Sequence, residues 1–283
     1  MSNFKAPAVV AETLSKEICV KKATGDWWRI ALLGILAGAY IGFGGELATM
    51  AGLGVADKLG LGFQKFLMGS VFSVGLMLVV IAGAELFTGN NLMVLAAYEK
   101  RTSLGQVLAK WVIVYLANFI GAFFIAYLMY VSKIWESGGW GQFALNIALS
   151  KVRLEFWPAL FRGIGCNWLV CLAVWMAIAS NDVVGKVFAI YFPIMAFVAS
   201  GFEHIIANFY FIPMGLFLKS ADFASTVSGL GDLTIGSMIV KNFIPVTIGN
   251  VIGGVFFVAT FYFWTYLMKS LSLIHISEPT RPY

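Results

Sequence analysis

The sequence predicts an all-α membrane protein of six spans, built as an inverted repeat of three spans plus three. Hydrophobic residues make up 60% of the 283 residues and charged residues only 12%, whereas soluble domains carry about 25% charged residues. The mean hydropathy is +0.87. A chain of this length holds roughly six stretches of the ~20 apolar residues that cross a bilayer core, with no remainder for a soluble domain. The third observation is a short pattern that occurs twice inside long hydrophobic stretches.

Hydrophobic stretches place each element along the chain. Residues 6–22 are expected to form an amphipathic helix on the membrane interface, because Val10, Leu14 and Ile18 recur every four residues. The second span is too long for one straight crossing, so we expect it to break, and the fifth to break likewise. The expected spans are residues 30–50, 66–98, 107–131, 156–179, 184–217 and 243–268.

Three regions follow from this pattern. Residues 1–26 form an N-terminal cytoplasmic amphipathic segment, and residues 27–269 form the six-span transmembrane domain. Residues 270–283 end in a polar, proline-bearing sequence unrelated to the spans, which is typical of translated vector DNA. We therefore interpret them as a non-native tail.

The repeated pattern carries glycine, glutamate and asparagine at the same offsets. The first copy runs from Gly83 through Glu85 to Asn90, and the second runs over 201–208, which lies 118 residues later. Ionisable residues at membrane depth are costly and usually mark a functional path. Two of them at matching breaks indicate a duplicated transporter or channel with its site where the breaks meet.

A second echo supports the duplication. Asn118 and Gly121 of the third span match Asn250 and Gly253 of the sixth. Because each half has an odd number of spans, the halves must have opposite orientations in the membrane, which makes the repeat inverted.

Other classes of function find little support. The basic residues stand singly between spans, which argues against a nucleic-acid partner, and the three cysteines lack metal-ligand spacing, so no metal or cofactor is expected. No signal peptide is recognisable. A modest excess of basic residues on the N-terminal side favours an inner (cytoplasmic) membrane protein with both termini in the cytoplasm.

The residues in and beside the breaks leave several roles open. His204 can exchange a proton with a weak acid, since histidine titrates near neutral pH. Glu85 and Glu203 are either proton carriers or acceptors for backbone N–H groups that the breaks release, and we favour the second role. Asn90 is expected to do the same backbone work, and Asn208 fits either role.

Four segments resemble the formate/nitrite transporter family, and the formate channels most closely. They begin at Ala84, Asn167, Val198 and Asn242, they occur in the family's order, and the resemblance covers about residues 8–269. It implies an aquaporin-like fold, a homopentamer with one pore through each protomer, and transport of a small monovalent weak-acid anion. Formate is the favoured substrate, with nitrite or hydrosulfide as alternatives, and protons are expected to take part in transport.

The resemblance also implies roles for single residues. His204 falls on the family's central pore histidine, with Thr88 as its partner rather than a mere helix cap, and Lys151 falls on a lysine near the outer mouth, where Arg153 and Arg162 add positive charge. The N-terminal helix resembles a gating segment. The apolar residues that match the family's pore constrictions are Phe72, Leu76, Leu86, Phe87, Val170 and Phe197.

Two further hypotheses belong to other classes. An aquaporin-type conduit for neutral solutes would use paired Asn-Pro-Ala motifs, which the chain lacks. A membrane enzyme would need a nucleotide fingerprint, a metal set or a nucleophile with its base, and none is visible. An anion channel or proton-coupled transporter is therefore the favoured function.

Overall fold

A computed structural model of the chain describes residues 4–268, in which five helices are long and apolar enough to cross a membrane. Two shorter apolar helices, Val183–Ala199 and Ile205–Leu218, together form a sixth path. Within these residues there is no β-sheet, only an isolated bridge between Phe4 and Ser180. The predicted all-α fold with broken second and fifth helices is confirmed. The spans are Trp27–Gly52, Leu61–Gly83 continued by residues 87–98, Leu104–Val131, Phe156–Ala179, Val183–Ala199 continued by Ile205–Leu218, and Ile235–Leu267.

The first span fixes names for the two membrane faces. It begins at Trp27 on the N-terminal side and ends at Gly52 on the opposite side, here called the far side. The third span runs in the same direction, and the fourth and sixth run back. The predicted tail, residues 270–283, lies outside the described residues.

One helix was missed by the sequence analysis. Residues Trp140–Val152 form a helix on the far side, here called the far-side helix, whereas the expected spans left residues 132–155 as a connection. Leu145, Ala148 and Leu149 lie on its buried face. The helix is too short and too polar to be recognised as a span, so the segment was interpreted as a connection between spans.

The pre-membrane helix covers residues 7–24 and packs against the protein, not along the membrane interface as expected. Val10 is buried in the first turns, which pack against the N-terminal-side ends of the fourth and sixth spans. Leu14 is buried in the next turn, which packs against residues 91–98 of the second span. The Cys19 thiol donates to the carbonyl of Leu92, and burial raises the pKa of that thiol to about 12. The apolar face that suggested contact with lipid is therefore covered by protein.

Matching glycines bring the spans of each half together. A Cβ on Gly121 would overlap the backbone carbonyl of Ile35, and one on Gly253 would overlap the carbonyl of Ile164. The third span therefore lies directly on the first, and the sixth lies on the fourth in the same way. This equivalence agrees with the predicted inverted repeat of three plus three spans.

The six spans form a closed ring within one protomer. The first span packs between the third and the second, the second packs against the fifth, and the fifth and sixth both pack against the fourth. A hydrogen bond between the hydroxyls of Tyr115 and Thr247 joins the third span to the sixth. The order around the protomer is therefore third, first, second, fifth, fourth and sixth.

Candidate functional site: a central pore with two charged mouths

Both breaks begin at a glycine with a left-handed backbone. Gly83 has φ of 90° and Gly201 has φ of 75°, a conformation that favours glycine. Residues 84–86 and 202–204 then leave the helical path. At this point the hydroxyl of Thr88 lies 2.9 Å from Nε2 of His204. The two breaks thus meet as the duplicated pattern predicted.

Asn118 of the third span satisfies the backbone of the first break. Its side-chain oxygen accepts from the N–H of Phe87 at 2.9 Å, and its amide donates to the carbonyls of Glu85 at 2.9 Å and Gly34 at 2.7 Å. The N–H of Glu85 also donates to the carbonyl of Leu33 at 3.2 Å. Because hydrocarbon offers no such partners, these hydrogen bonds satisfy the broken backbone.

Asn250 of the sixth span does the same for the second break. Its oxygen accepts from the N–H of Ile205 at 2.9 Å, and its amide donates to the carbonyls of Glu203 at 2.9 Å and Gly163 at 2.8 Å. The sequence analysis recognised both asparagines as an echo but gave this work to Glu85, Glu203 and Asn90. That assignment was wrong for the backbone.

The first glutamate instead holds a lysine at the N-terminal mouth. Lys22 donates to Glu85 at 2.8 Å and to the side-chain oxygen of Asn90 at 2.8 Å, and Asn90 donates to Glu85 at 2.9 Å. Lys22 was missed by the sequence analysis. The repeat itself could have indicated it. Because Lys151 was expected near the second copy of the glutamate and asparagine, a lysine could also have been expected near the first copy.

The second glutamate holds Lys151 at the far mouth. Both carboxylate oxygens of Glu203 accept from Lys151 at 3.1 Å, and Asn208 donates to Glu203 at 2.7 Å. The side chains of Lys151 and Glu203 are only 13% and 6% exposed. Asn242 ties this cluster to the sixth span, because its amide donates to the Lys151 carbonyl and its oxygen accepts from Asn208. Lys151 is therefore a buried, paired cation and not a solvated one.

Arg153 has a structural partner nearby. Its guanidinium donates to Asp232 at 2.8 Å and to the carbonyl of Gly229 at 3.2 Å on the exposed far surface. Its charge is therefore largely matched, and it ties the end of the far-side helix to the loop before the sixth span.

The hydrogen bonds of His204 define its tautomer. The ring caps the second half of the fifth span, because Nδ1 accepts from the N–H of Ala207 at 3.2 Å. An accepting Nδ1 carries no proton, so the neutral ring has its proton on Nε2, which donates to the Thr88 hydroxyl. Protonating His204 would require the loss of the bond to Ala207.

Asn167 of the fourth span fixes the backbone on the Thr88 side. Its amide lies 3.2 Å from the carbonyl of Thr88, 2.8 Å from Oδ1 of Asn91 and 2.7 Å from the carbonyl of Asn250. This residue connects the two halves at the centre of the protein. The sequence analysis gave it no role in the site.

A narrow gap of about 10 Å³ lies beside His204. A cavity must offer about 10–15 Å³ to hold one water, so the gap is essentially dry. Phe87 was expected here but packs edge to face against Trp111 and Tyr115, whereas Ile41 and Ile194 were missed. The apolar residues that line the gap are Ile41, Phe72, Leu76, Leu86, Val170, Ile194 and Phe197.

A cavity of about 710 Å³ lies on the N-terminal side of the gap. Leu76 and Leu86 border both spaces, so they form the wall between them. Four basic and two acidic side chains line the cavity, which gives it an excess of positive charge. These are Lys21, Lys22, Arg29 and Lys186, with Asp26 and Glu85.

A search for metal ligands gave no candidate site. No three histidine, cysteine, aspartate or glutamate residues lie close enough to hold a metal ion within residues 4–268. The site consists of hydrogen-bonding and apolar side chains.

Comparison with known proteins places this arrangement in a family. A model described as "Formate/nitrite transporter" matches residues 9–264. A "Probable formate transporter" from Methanothermobacter thermautotrophicus is 44% identical over 95% of this chain and 99% of its own length. "Formate channel FocA" of Escherichia coli K12 is 38% identical over 93% of this chain and 95% of its own.

Solved structures agree in fold. A structure titled "Pentameric formate channel with formate bound" superposes with a TM-score of 0.77 and 35% identity, over 87% of this chain and 99% of that one. A structure titled "FNT family ion channel" superposes with a TM-score of 0.71 and 29% identity, over 92% of this chain and 95% of that one.

Breaking the far-mouth ion pair should cost more stability than removing both charges. Lys151→Met leaves the Glu203 carboxylate buried without its cation, a loss of about 3–5 kcal/mol, and adding Glu203→Gln should recover most of it. Thermal unfolding of the detergent-solubilised protein measures both, with Lys58→Met on the exposed far surface as the control. A double variant no more stable than Lys151→Met would contradict the pairing.

Proposed function

The chain belongs to the formate/nitrite transporter family, and from this premise we propose that it is a homopentameric channel for formate, with a pore in each protomer. The family model and the relatives named as formate transporters and channels support the substrate. A pentameric channel of the same fold supports the assembly. We assign the pore to the six-span domain, and side chains between Leu14 and Asp26 of the N-terminal segment line its N-terminal mouth.

The observation that carries the proposal is the dry apolar gap beside His204. A bare carboxylate is strongly disfavoured in such a gap, whereas the neutral acid passes at a much smaller free-energy cost. Because the gap has room for about one water at most, a hydrated ion does not fit. The species that crosses is therefore formic acid, or formate together with a proton.

Each mouth offers formate a partly satisfied ammonium group. Lysine has three N–H donors, and in the described hydrogen bonds Lys22 and Lys151 use two each. The third donor is available to an arriving carboxylate. The positive excess of the N-terminal cavity adds long-range attraction.

The proton joins formate as it leaves the mouth. The falling dielectric disfavours the charged form and raises the pKa of the carboxylate. The proton comes from water in the mouth or from His204, whose Nδ1 must release the Ala207 N–H before the ring can take up a second proton. The Nε2–H of His204 then donates to the substrate at the centre in place of the Thr88 hydroxyl.

We extend the proposal to reaction type and location. The relatives are named as channels and transporters, which supports a conduit and not an enzyme. The multi-pass fold fits the inner membrane, and the excess of basic residues supports cytoplasmic termini. Nitrite, which the family description names, and hydrosulfide are the alternative substrates.

Formate flux into liposomes is the central test. The purified protein should accelerate uptake of formate over protein-free liposomes, and glycerol uptake should stay at the background rate. Glycerol entry equal to formate entry would favour a neutral-solute conduit, and faster nitrite or hydrosulfide entry would identify another anion of the same class.

Replacing His204 should change the pH dependence of formate flux. His204→Phe removes both the Nε2 donor and the cap on Ala207, so flux should lose its wild-type dependence between about pH 5 and 8, the range in which histidine ordinarily titrates. Thr88→Val, which removes only the partner hydroxyl, is the matched comparison. If His204→Phe keeps the wild-type pH profile, the histidine has only a structural role.

Removing the mouth lysines should reduce entry of the anion from the corresponding side. Because the single changes leave an unpaired carboxylate, the variants to use are Lys22→Met with Glu85→Gln and Lys151→Met with Glu203→Gln. Each should lower saturable formate uptake and leave passive entry of formic acid at low pH intact. The controls are Lys100→Met, at an exposed N-terminal-side lysine that does not line the cavity, and Lys58→Met. Equal losses in the controls would refute the assignment.

The proposed orientation has a direct readout. A fluorescent protein that matures only in the cytoplasm, fused after Met268, should become fluorescent in cells. A dark fusion, together with an active periplasmic reporter at the same site, would place the termini outside.

A further inference from the structure

Two charged side chains within the spans have no part in the pore. Glu46 lies in the first span and is half-buried, and Arg162 lies in the fourth span and is exposed. Within residues 4–268 neither side chain has a described ion pair or hydrogen bond. Glu46 has the Tyr210 hydroxyl as a neighbour within its protomer, but that group carries no charge. Because an unpaired charge facing hydrocarbon is strongly disfavoured, an opposite charge from outside the protomer would suit each side chain.

The two charges lie at the same depth. Glu46 is six residues before Gly52, where the first span ends on the far side, and Arg162 is six residues after Phe156, where the fourth span begins there. At 1.5 Å per residue both are about 9 Å below the far ends of their helices.

Apolar side chains surround each charge on an open helix face. Phe43 and Leu47 are 41% and 39% exposed beside Glu46, and Trp157 and Phe161 are 63% and 62% exposed beside Arg162. Both faces are apolar, and each carries one charge of opposite sign to the other. The two faces are therefore complementary in charge.

The helix order puts these faces on opposite flanks of the protomer. The first and fourth spans are separated by the second and fifth on one edge and by the third and sixth on the other. The third span carries the long exposed apolar face of Leu108, Val112 and Leu116, which suits lipid. The fifth span carries a similar exposed apolar face of Val184, Phe188 and Phe192 on the other edge.

We propose that Glu46 of one protomer pairs with Arg162 of the next across the subunit interface. In a closed ring each copy meets its neighbours through two different faces, so the first-span flank of one copy meets the fourth-span flank of the adjacent copy. The inference rests on the proposed pentamer. Arg162 was expected to add positive charge near the outer mouth. The proposal gives it a role in assembly instead.

Other cations at the far side fit less well. Lys65 lies on the second span beside Gly201, and Lys241 lies on the sixth. Neither of these spans forms the flank opposite the first. Lys65→Gln and Lys241→Gln are therefore matched controls.

Charge exchange tests the pair. Glu46→Gln and Arg162→Gln should each lower the temperature at which the solubilised pentamer dissociates, whereas Glu46→Arg combined with Arg162→Glu should restore it, and the two lysine controls should leave it unchanged. Mass measurement of the wild-type assembly comes first. An assembly that is not a ring overturns both the pentamer and the pair, whereas a wild-type ring that both single changes leave intact overturns only the pair.

Thiol cross-linking gives a second readout that does not depend on stability. With a short bifunctional thiol reagent, a chain carrying both Glu46→Cys and Arg162→Cys should form a ladder up to the pentamer. Co-expressed single variants should form dimers only. The parent chain is the control, since Cys19, Cys166 and Cys171 are buried. Cross-linking within one chain, or none between chains, would refute the proposal.

Discussion

The structure depends on satisfying the backbone at two helix breaks inside the membrane. A helix that stops in hydrocarbon exposes N–H and C=O groups that no solvent can satisfy. At the break that it faces, each of Asn118 and Asn250 accepts one hydrogen bond and donates one. Each donates a second one to a neighbouring span. Without them the chain would have to continue as helix through residues 84–86 and 202–204, and Thr88 and His204 would not be presented to each other.

The two halves share a frame and differ at the centre. Glutamate, asparagine and a lysine recur at both mouths, but His204 stands where the first half has Leu86, and Thr88 stands where the second has Ile206. The shared residues pair buried charges and satisfy backbone groups. The membrane imposes this requirement on both halves. The residues that differ meet at 2.9 Å in the middle. Duplication thus supplied the scaffold, and divergence supplied the polar contact within an apolar gap.

The architecture could be predicted because hydrophobic length and the repeated pattern are local in sequence. Both give spans, breaks and inverted halves without any knowledge of packing. The roles of polar residues depend on contacts between distant elements, such as Asn118 with Phe87 and Lys22 with Glu85. Charge alone suggested that glutamates repair the backbone. The structure shows neutral amides doing so, because an amide offers a donor and an acceptor together whereas a carboxylate only accepts.

The site's apolar lining shows the same limit. Phe72, Leu76, Leu86, Val170 and Phe197 were selected by resemblance and do lie at the gap. Phe87 follows Leu86 directly, yet the half-helix that begins there turns its ring toward Trp111 and Tyr115. Ile41 and Ile194 reach the gap from the first and fifth spans. The direction of a side chain at a helix break is set by the break's own backbone, which periodicity cannot describe.

Pairing each mouth lysine with a carboxylate also suits conduction. A lone buried ammonium would hold an anion tightly, whereas a conduit must bind weakly enough to release it. Glu85 and Glu203 reduce the net charge of each mouth while leaving one N–H donor of each lysine free for an anion. The same carboxylates offset the desolvation of the lysines in the folded protein. Under the proposed function, one ion pair at each mouth serves both the stability of the folded protein and the passage of the substrate.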